Sequence, residues 1–216
     1  MTPRADWVSL QLRCDQLAVA RAGVAVLEGV ELQVGSGQAL ILRGANGSGK
    51  TTLLRTLAGL QTTLAGQIRV PADSLSYAAH ADGLKSVLTV AENLEFWAAV
   101  HGQKGVAQAL AALNLSHLAR RRAAELSAGQ KRRVGLARLL VTGRWLWLLD
   151  EPTVSLDAAS VALFSGVLRA HLGQGGAAVI ATHVDLGLPE ARELDVTQFR
   201  ARGNTATHGG FDEAFT

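Results

Sequence analysis

Residues 44–51 read GANGSGKT, a glycine-rich run with the spacing G-x-x-x-x-G-K-[ST]. Gly44, Gly47 and Gly49 let the backbone curl so that successive N–H groups, those of Ala45, Asn46 and Ser48 among them, point inward at a phosphate. Lys50 adds a cation that reaches terminal phosphate oxygens, and the Thr51 hydroxyl suits Mg²⁺. Further along, LWLLDEP ends an apolar run in Asp150 and Glu151. A carboxylate there can hold the metal, and its neighbour can orient a water. The same pair also fits a turn with a helix N-cap, which Pro152 supports, and both readings can hold at once. VIATHVD places His183 at the end of another apolar run, positioned to donate a hydrogen bond to a terminal phosphate. Finally, ELSAGQKRR puts Ser127, Gly129 and Gln130 at the start of a helical pattern. Either Ser127 is an ordinary N-cap, or the exposed first-turn amides wait for an anion.

These groups can meet only if the intervening elements bring them to one edge. SLQLR, VELQV and QALILR alternate as strands do, with turn signals at RAG and GSG between them. After Gly44 the period becomes helical through KTTLLRTLAGL, which Gly59 stops. GQIRV and SLSYAA predict two more strands, and residues 88–125, rich in Ala and Leu, predict helix without strand. LWLLD and AAVIAT are short and nearly all apolar, typical of strands buried on both faces of a parallel sheet. AASVALFSGVLRAHL predicts the helix between them, DVTQFR an edge strand, and GNTATHGGFDEAFT is weakly patterned. Strand, helix and strand in this order indicate an α/β fold with a helical insertion between two parts of one sheet.

With 216 residues, 48% of them hydrophobic, the chain can bury a full core as one globular unit. Its apolar runs fall short of the roughly 20 residues that span a bilayer, and the N-terminus lacks the apolar stretch of a secretory signal. The single cysteine, Cys14, excludes an internal disulfide and fits a reducing compartment, so a cytoplasmic location is expected. The formal charge of +3 concentrates at ARRRA and KRR, flanking LSAGQ. A nucleic-acid footprint, attraction to anionic lipid and a solvated helix face compete as explanations. The solvated face is favoured, and no nucleic-acid partner is expected, because interleaved aromatics are lacking.

A glycine loop alone leaves GTPases, kinases, helicases and transport ATPases open. GANGSGKT, LSAGQ, LWLLDEP, SLD and ATH in this order make the chain resemble the ATP-binding cassette (ABC) family over nearly its whole length. The resemblance implies one ABC domain over residues 1–216: a P-loop NTPase core, an N-terminal antiparallel β part, and an α-helical subdomain inserted at about 86–126. It implies ATP with Mg²⁺ as cofactor, bound by residues 44–51 and Thr52, with Thr51 and Asp150 at the metal. Glu151 and His183 would be catalytic. In this family two copies pack head to tail, so Ser127, Gly129 and Gln130 would cap the ATP of a second copy, and Asp157 of SLD would also belong to the nucleotide site. The variants LSAGQ, LTVAENL and RRVGLARL look most like the heme-export ATPases of bacterial cytochrome c maturation, which implies CcmB- and CcmC-type permease partners at the cytoplasmic face of the inner membrane. Other small drug or lipid exporter ATPases share many of these residues. The less favoured alternative is a soluble ABC ATPase acting on nucleic acid, which usually carries a long coiled coil or two cassettes, neither visible in the sequence.

Three departures stand out. LSAGQ carries Ala128 where glycine is usual. Arg21 occupies the position of the aromatic under adenine, and either stacks through its guanidinium or is a surface arginine. The glutamine expected before LTV is missing, the position falling on His80 or Ala81. His80 or Asp82 can substitute for it, or the loop is only a coupling surface.

Overall fold

The structure, a computed structural model, describes residues 4–202. The tail at 203–216 lies outside the described residues. Strands β1 (Gln11–Arg21) and β2 (Val24–Gly35) form an antiparallel hairpin. Helix α1 (Lys50–Leu57) intervenes before β4 (Thr63–Arg69), which pairs with the other edge of β1. SLQLR and VELQV thus prove to be parts of longer strands. A bulge explains why the alternation breaks: Gln16 adopts φ 48°, and the register shifts between Cys14 and Leu17. Gly66 lies opposite at φ 82°, where a Cβ would approach the Gln16 carbonyl oxygen to 2.3 Å. Only glycine fits there.

The second sheet contains β3 (Ala39–Arg43), β5 (Leu75–Ala78), β6 (Leu146–Asp150), β7 (Ala177–Ala181) and β8 (Arg192–Asp195). All its pairings are parallel, in the order β5-β6-β7-β3-β8. The edge strand is therefore residues 192–195, and DVTQFR is instead a 3-10 turn at Val196–Phe199. Asp195 makes the difference, because its Oδ1 accepts hydrogen bonds from the Thr197 N–H at 2.9 Å and Oγ1 at 2.7 Å. That local bonding competes with the ladder and turns the chain out of it.

Every residue of β6 and β7 is buried, and their side chains divide between two hydrophobic layers. Trp147, Leu149, Ala178 and Ile180 pack under α4 (Ala128–Leu140) and α5 (Ala158–Gly173). Leu146, Leu148, Val179 and Ala181 face α1 and the antiparallel sheet. Both faces being covered, the two strands read as continuous apolar runs. Between the sheet segments, α2 (Val90–Val100) and α3 (Val106–Ala112) pack on α4. The rest of the predicted helical stretch yields only 3-10 turns, at Ser116–Leu118 and Ala123–Glu125. Asn114 at φ 52° ends the regular helix. α2 begins with a capping box, in which Thr89 Oγ1 accepts from Glu92 N–H at 3.2 Å and Glu92 Oε2 accepts from Thr89 N–H at 2.7 Å.

His171 of α5 is buried at the opposite end of the sheet, its ring stacked 3.7 Å from that of Trp147. Burial lowers its pKa from 6.5 to about 4. The unfolded chain therefore binds more protons between these values, and stability should fall as pH drops through that window. The expected loss is about 3 kcal/mol, given about 1.4 kcal/mol per pKa unit. Urea midpoints measured from pH 7.5 to 4 should show this slope, and His171→Phe should flatten it.

Candidate functional site

The chain leaves β3 into the glycine loop and enters α1 at Lys50. Gly49, the N-cap, sits at φ 103°, and a Cβ there would meet Val26 Cγ1 at 2.9 Å and Leu27 Cγ at 3.0 Å. Backbone conformation and close packing both demand glycine. Ser48 donates its N–H to the Ala45 carbonyl at 3.1 Å, which tightens the loop. Ser48 Oγ is buried without a partner, a polar atom that fits a ligand oxygen. Lys50 is only 7% exposed, and its Nζ donates to the Gly44 carbonyl at 2.6 Å and the Ala45 carbonyl at 3.1 Å. It also lies 3.4 Å from His183 Nε2. Thr52 is buried one residue past Thr51 in α1.

Asp150 closes β6 at 1% exposure, opposite Ala181 of β7. Its Oδ1 accepts from Thr51 Oγ1 at 3.0 Å, and its Oδ2 accepts from Tyr77 Oη at 3.3 Å. Burial, reinforced by Asp150, pushes the Tyr77 phenol up to about 12, so it remains a neutral donor. Glu151 donates its N–H to the Ala181 carbonyl at 2.8 Å and adopts φ 46°. A left-handed conformation costs a non-glycine residue about 1–2 kcal/mol. Its Oε1 lies 3.6 Å from His183 Nε2. One buried carboxylate beside one hydroxyl suits Mg²⁺, which prefers few protein oxygens completed by water and phosphate.

Beside the loop lies a hollow of about 510 Å³, lined by Ala25, Val26, residues 45–48, Thr197, Arg200 and Ala201. Arg21 is not in that lining; it is exposed at the end of β1, paired with Val24. Ser127 is the N-cap of α4 in a capping box with Gln130, as the cap reading expects. The cap engages the Gln130 N–H and leaves the exposed Ala128 and the half-buried Gly129 at the first two helical positions, without intrahelical partners. Gly129 also has a packing reason, since a Cβ would come within 2.8 Å of the Ser155 carbonyl oxygen. Asp157 caps α5, accepting from Ser160 N–H at 2.7 Å, and that hydrogen bond lowers its pKa. Among the described residues, no hydrogen bond or ion pair joins Ser127, Gly129, Gln130 or Asp157 to residues 44–52. The glycine loop, Asp150, Glu151 and His183 converge; the cap residues form a separate group.

Sequence reasoning missed Tyr77, Val26, Thr197, Arg200 and Arg132. The first four come to the site from strands and a turn with no motif of their own. In the loop at 79–82, Asp82 pairs with Arg132 at 3.2 Å, and His80 is exposed, its carbonyl accepting from Arg132 at 3.4 Å. His80→Ala should therefore leave the basal rate of ATP hydrolysis within about threefold, since no buried charge is lost. A steady-state assay that showed a hundredfold loss at unchanged nucleotide affinity would place the imidazole among the reacting groups.

Comparisons with known proteins bear on the family and the fold. The sequence profile of the ABC transporter family matches residues 27–154. The chain is 63% identical over 206 residues to the cytochrome c biogenesis ATP-binding export protein CcmA of Rhodobacter capsulatus, covering 94% of this chain and 96% of that one. It is 40% identical to the protein of the same name from Agrobacterium fabrum, over 88% of this chain and 97% of the relative. Among solved structures, an ABC transporter ATP-binding protein from Pyrococcus furiosus superposes with a TM-score of 0.78 at 24% identity, over 88% of this chain and all of that one. The cbiO1 protein of Clostridium perfringens, part of the ABC transporter complex cbiONQ, gives 0.68 at 26% identity, over 82% of this chain and 79% of that one. The chain belongs to the ABC transporter family, as an ATP-binding, ATP-hydrolysing subunit.

Proposed function

We propose that this subunit powers heme export, or release of heme to its chaperone, in cytochrome c biogenesis. It would act on CcmB- and CcmC-type permeases at the cytoplasmic face of the bacterial inner membrane. The catalytic part of this reading is carried by one observation: Lys50, Thr51, Asp150, Glu151 and His183 meet at one end of a parallel sheet. The 61–63% identity to CcmA proteins supports the heme-export part. No helix among the described residues is long and apolar enough to cross a membrane, so attachment would run through a partner. We read the segment at about 86–126 as the inserted helical subdomain within a single domain.

In this mechanism the glycine-loop amides and Lys50 bind the phosphates, and Thr51 and Asp150 hold Mg²⁺. When bound, the ion supplies charge neutralisation at the phosphate oxygens. Glu151 orients the attacking water and accepts its proton, while His183 hydrogen-bonds the phosphate being transferred. Ser127, Gly129, Gln130 and Asp157, which among the described residues make no hydrogen bond or ion pair to the glycine loop of their own chain, serve a second copy.

Glu151→Gln should bind MgATP normally, lose turnover by about a hundredfold or more, and accumulate as an ATP-dependent dimer. Adding Ser127→Arg should abolish that dimer in sedimentation, and a monomer at all nucleotide concentrations would remove the composite site. Purified in mild detergent from its native membrane, the chain should bring down CcmB- and CcmC-type permeases. Capture of a drug or lipid exporter permease instead would overturn the heme assignment.

A further inference from the structure

Arg132 lies on α4, on the helix that Ser127 caps, and is 4% exposed. Its guanidinium is engaged on every edge. Nε donates to the Pro152 carbonyl at 2.9 Å, and Nη2 donates to the carbonyls of Glu151 at 2.8 Å and Asp150 at 3.3 Å. Nη1 donates to the carbonyls of Ala79 at 2.7 Å and His80 at 3.4 Å, and to Asp82 Oδ1 at 3.2 Å. One side chain thus holds three consecutive carbonyls around Glu151 and, with its other nitrogen, the loop at 79–82. That loop packs along one face of α4. One turn beyond Arg132, a Cβ on Gly135 would meet Asp82 Cβ at 3.0 Å and its Cα at 3.2 Å. Arg138 continues the face, donating to the Tyr77 carbonyl at 3.4 Å.

We propose that Arg132 is a positioning residue for hydrolysis: it transmits the position of the loop at 79–82 to the peptide that carries Glu151. The left-handed φ of 46° at Glu151 is a conformation that surrounding contacts must hold. The three carbonyl contacts from Arg132 act beside the Glu151 N–H bond to the Ala181 carbonyl at 2.8 Å and the Val154 N–H bond to the Glu151 carbonyl at 3.3 Å. A planar five-donor fork is needed to reach carbonyls on two segments at once, which an ammonium does not provide. The loop has no side chain at the metal donors, so its link to the site runs through its own carbonyls and Asp82. A shift of the loop must therefore drag the guanidinium, and with it the Glu151 peptide. Because Arg132 is five residues past Ser127, the same link reaches the helix whose N-terminus would cap a second copy's ATP.

The inference rests on the reading of Glu151 as the group that orients water, and its test separates the two. Arg132→Lys in the full chain should lower kcat for MgATP about tenfold or more while KM moves less than about threefold, because only the alignment of the carboxylate suffers. Amide exchange should rise together at 79–83 and 150–155. Gly135→Ala keeps the guanidinium and displaces only the loop; it too should raise exchange at both segments and lower kcat at unchanged KM and unchanged Tm. Should Gly135→Ala loosen 79–83 alone with kcat intact, the transmission is refuted. Wild-type kcat in Arg132→Lys, or a loss of kcat matched by a global loss of amide protection, would equally overturn the proposal. If Glu151→Gln hydrolyses ATP like the parent, the reading of Glu151 fails, and the exchange data alone still decide whether Arg132 links the two segments.

Discussion

A carboxylate at 1% exposure must be met by donors or a cation, and the surroundings of Asp150 follow from that constraint. Strand β6 is buried on both faces, so its polar residues can stand only where it leaves the core. There α1 supplies the Thr51 hydroxyl and β5 supplies the Tyr77 phenol, one to each carboxylate oxygen. Both donors are neutral, so they orient the charge without cancelling it. That is the environment a divalent cation fits, and it explains why the glycine loop, whose helix carries Thr51, must dock against this strand end.

The segments around the site approach one another closely because glycine stands at each junction. Gly49 lets the phosphate loop rest on Val26 and Leu27 of β2; Gly129 lets α4 touch the Ser155 carbonyl; Gly135 lets the loop at 79–82 lie on the same helix. Only the first follows from the phosphate motif. The other two are contacts between backbone segments, and a methyl group at either would push apart the parts that Arg132 binds together. Buried arginine without a full set of acceptors would be strongly unfavourable, so the guanidinium and these close approaches depend on each other.

Within one chain the glycine-loop group and the cap group share no direct hydrogen bond or ion pair among the described residues, and Arg132, on the capped helix, reaches the Glu151 peptide. The glycine loop meets Asp150, Glu151 and His183, whereas Ser127 and Gln130 cap their own helix and Asp157 caps the next. A capping box satisfies the helix end and still presents first-turn amides outward, so the ordinary cap and the anion site are compatible rather than rival readings. This division is what a family that works as paired subunits requires.

The α/β class, the buried parallel strands and the grouping of residues 44–51, 150–151 and 183 at one end of the sheet were legible because each is carried by consecutive residues. A glycine-rich turn, an apolar run or a strand-end carboxylate has its meaning within a few positions. Boundaries were less legible: the bulge at Gln16 broke the alternation of β1, and Asp195 turned DVTQFR out of the sheet. Arg21 illustrates a further limit, since its position relative to the hollow depends on how the hairpin lies over the loop. Tyr77 and Arg132 could not have been found in the sequence. Tyr77 is 73 residues from Asp150, and Arg132 is 53 from Ala79 and 20 from Pro152. Tyrosine and arginine at those positions read as ordinary strand and helix residues. What the sequence by itself determined is the set of groups that can handle a phosphate and a metal. Which distant side chains hold those groups in place was decided only by tertiary packing, because a hydrogen bond to a backbone carbonyl leaves no signature in the residue that accepts it.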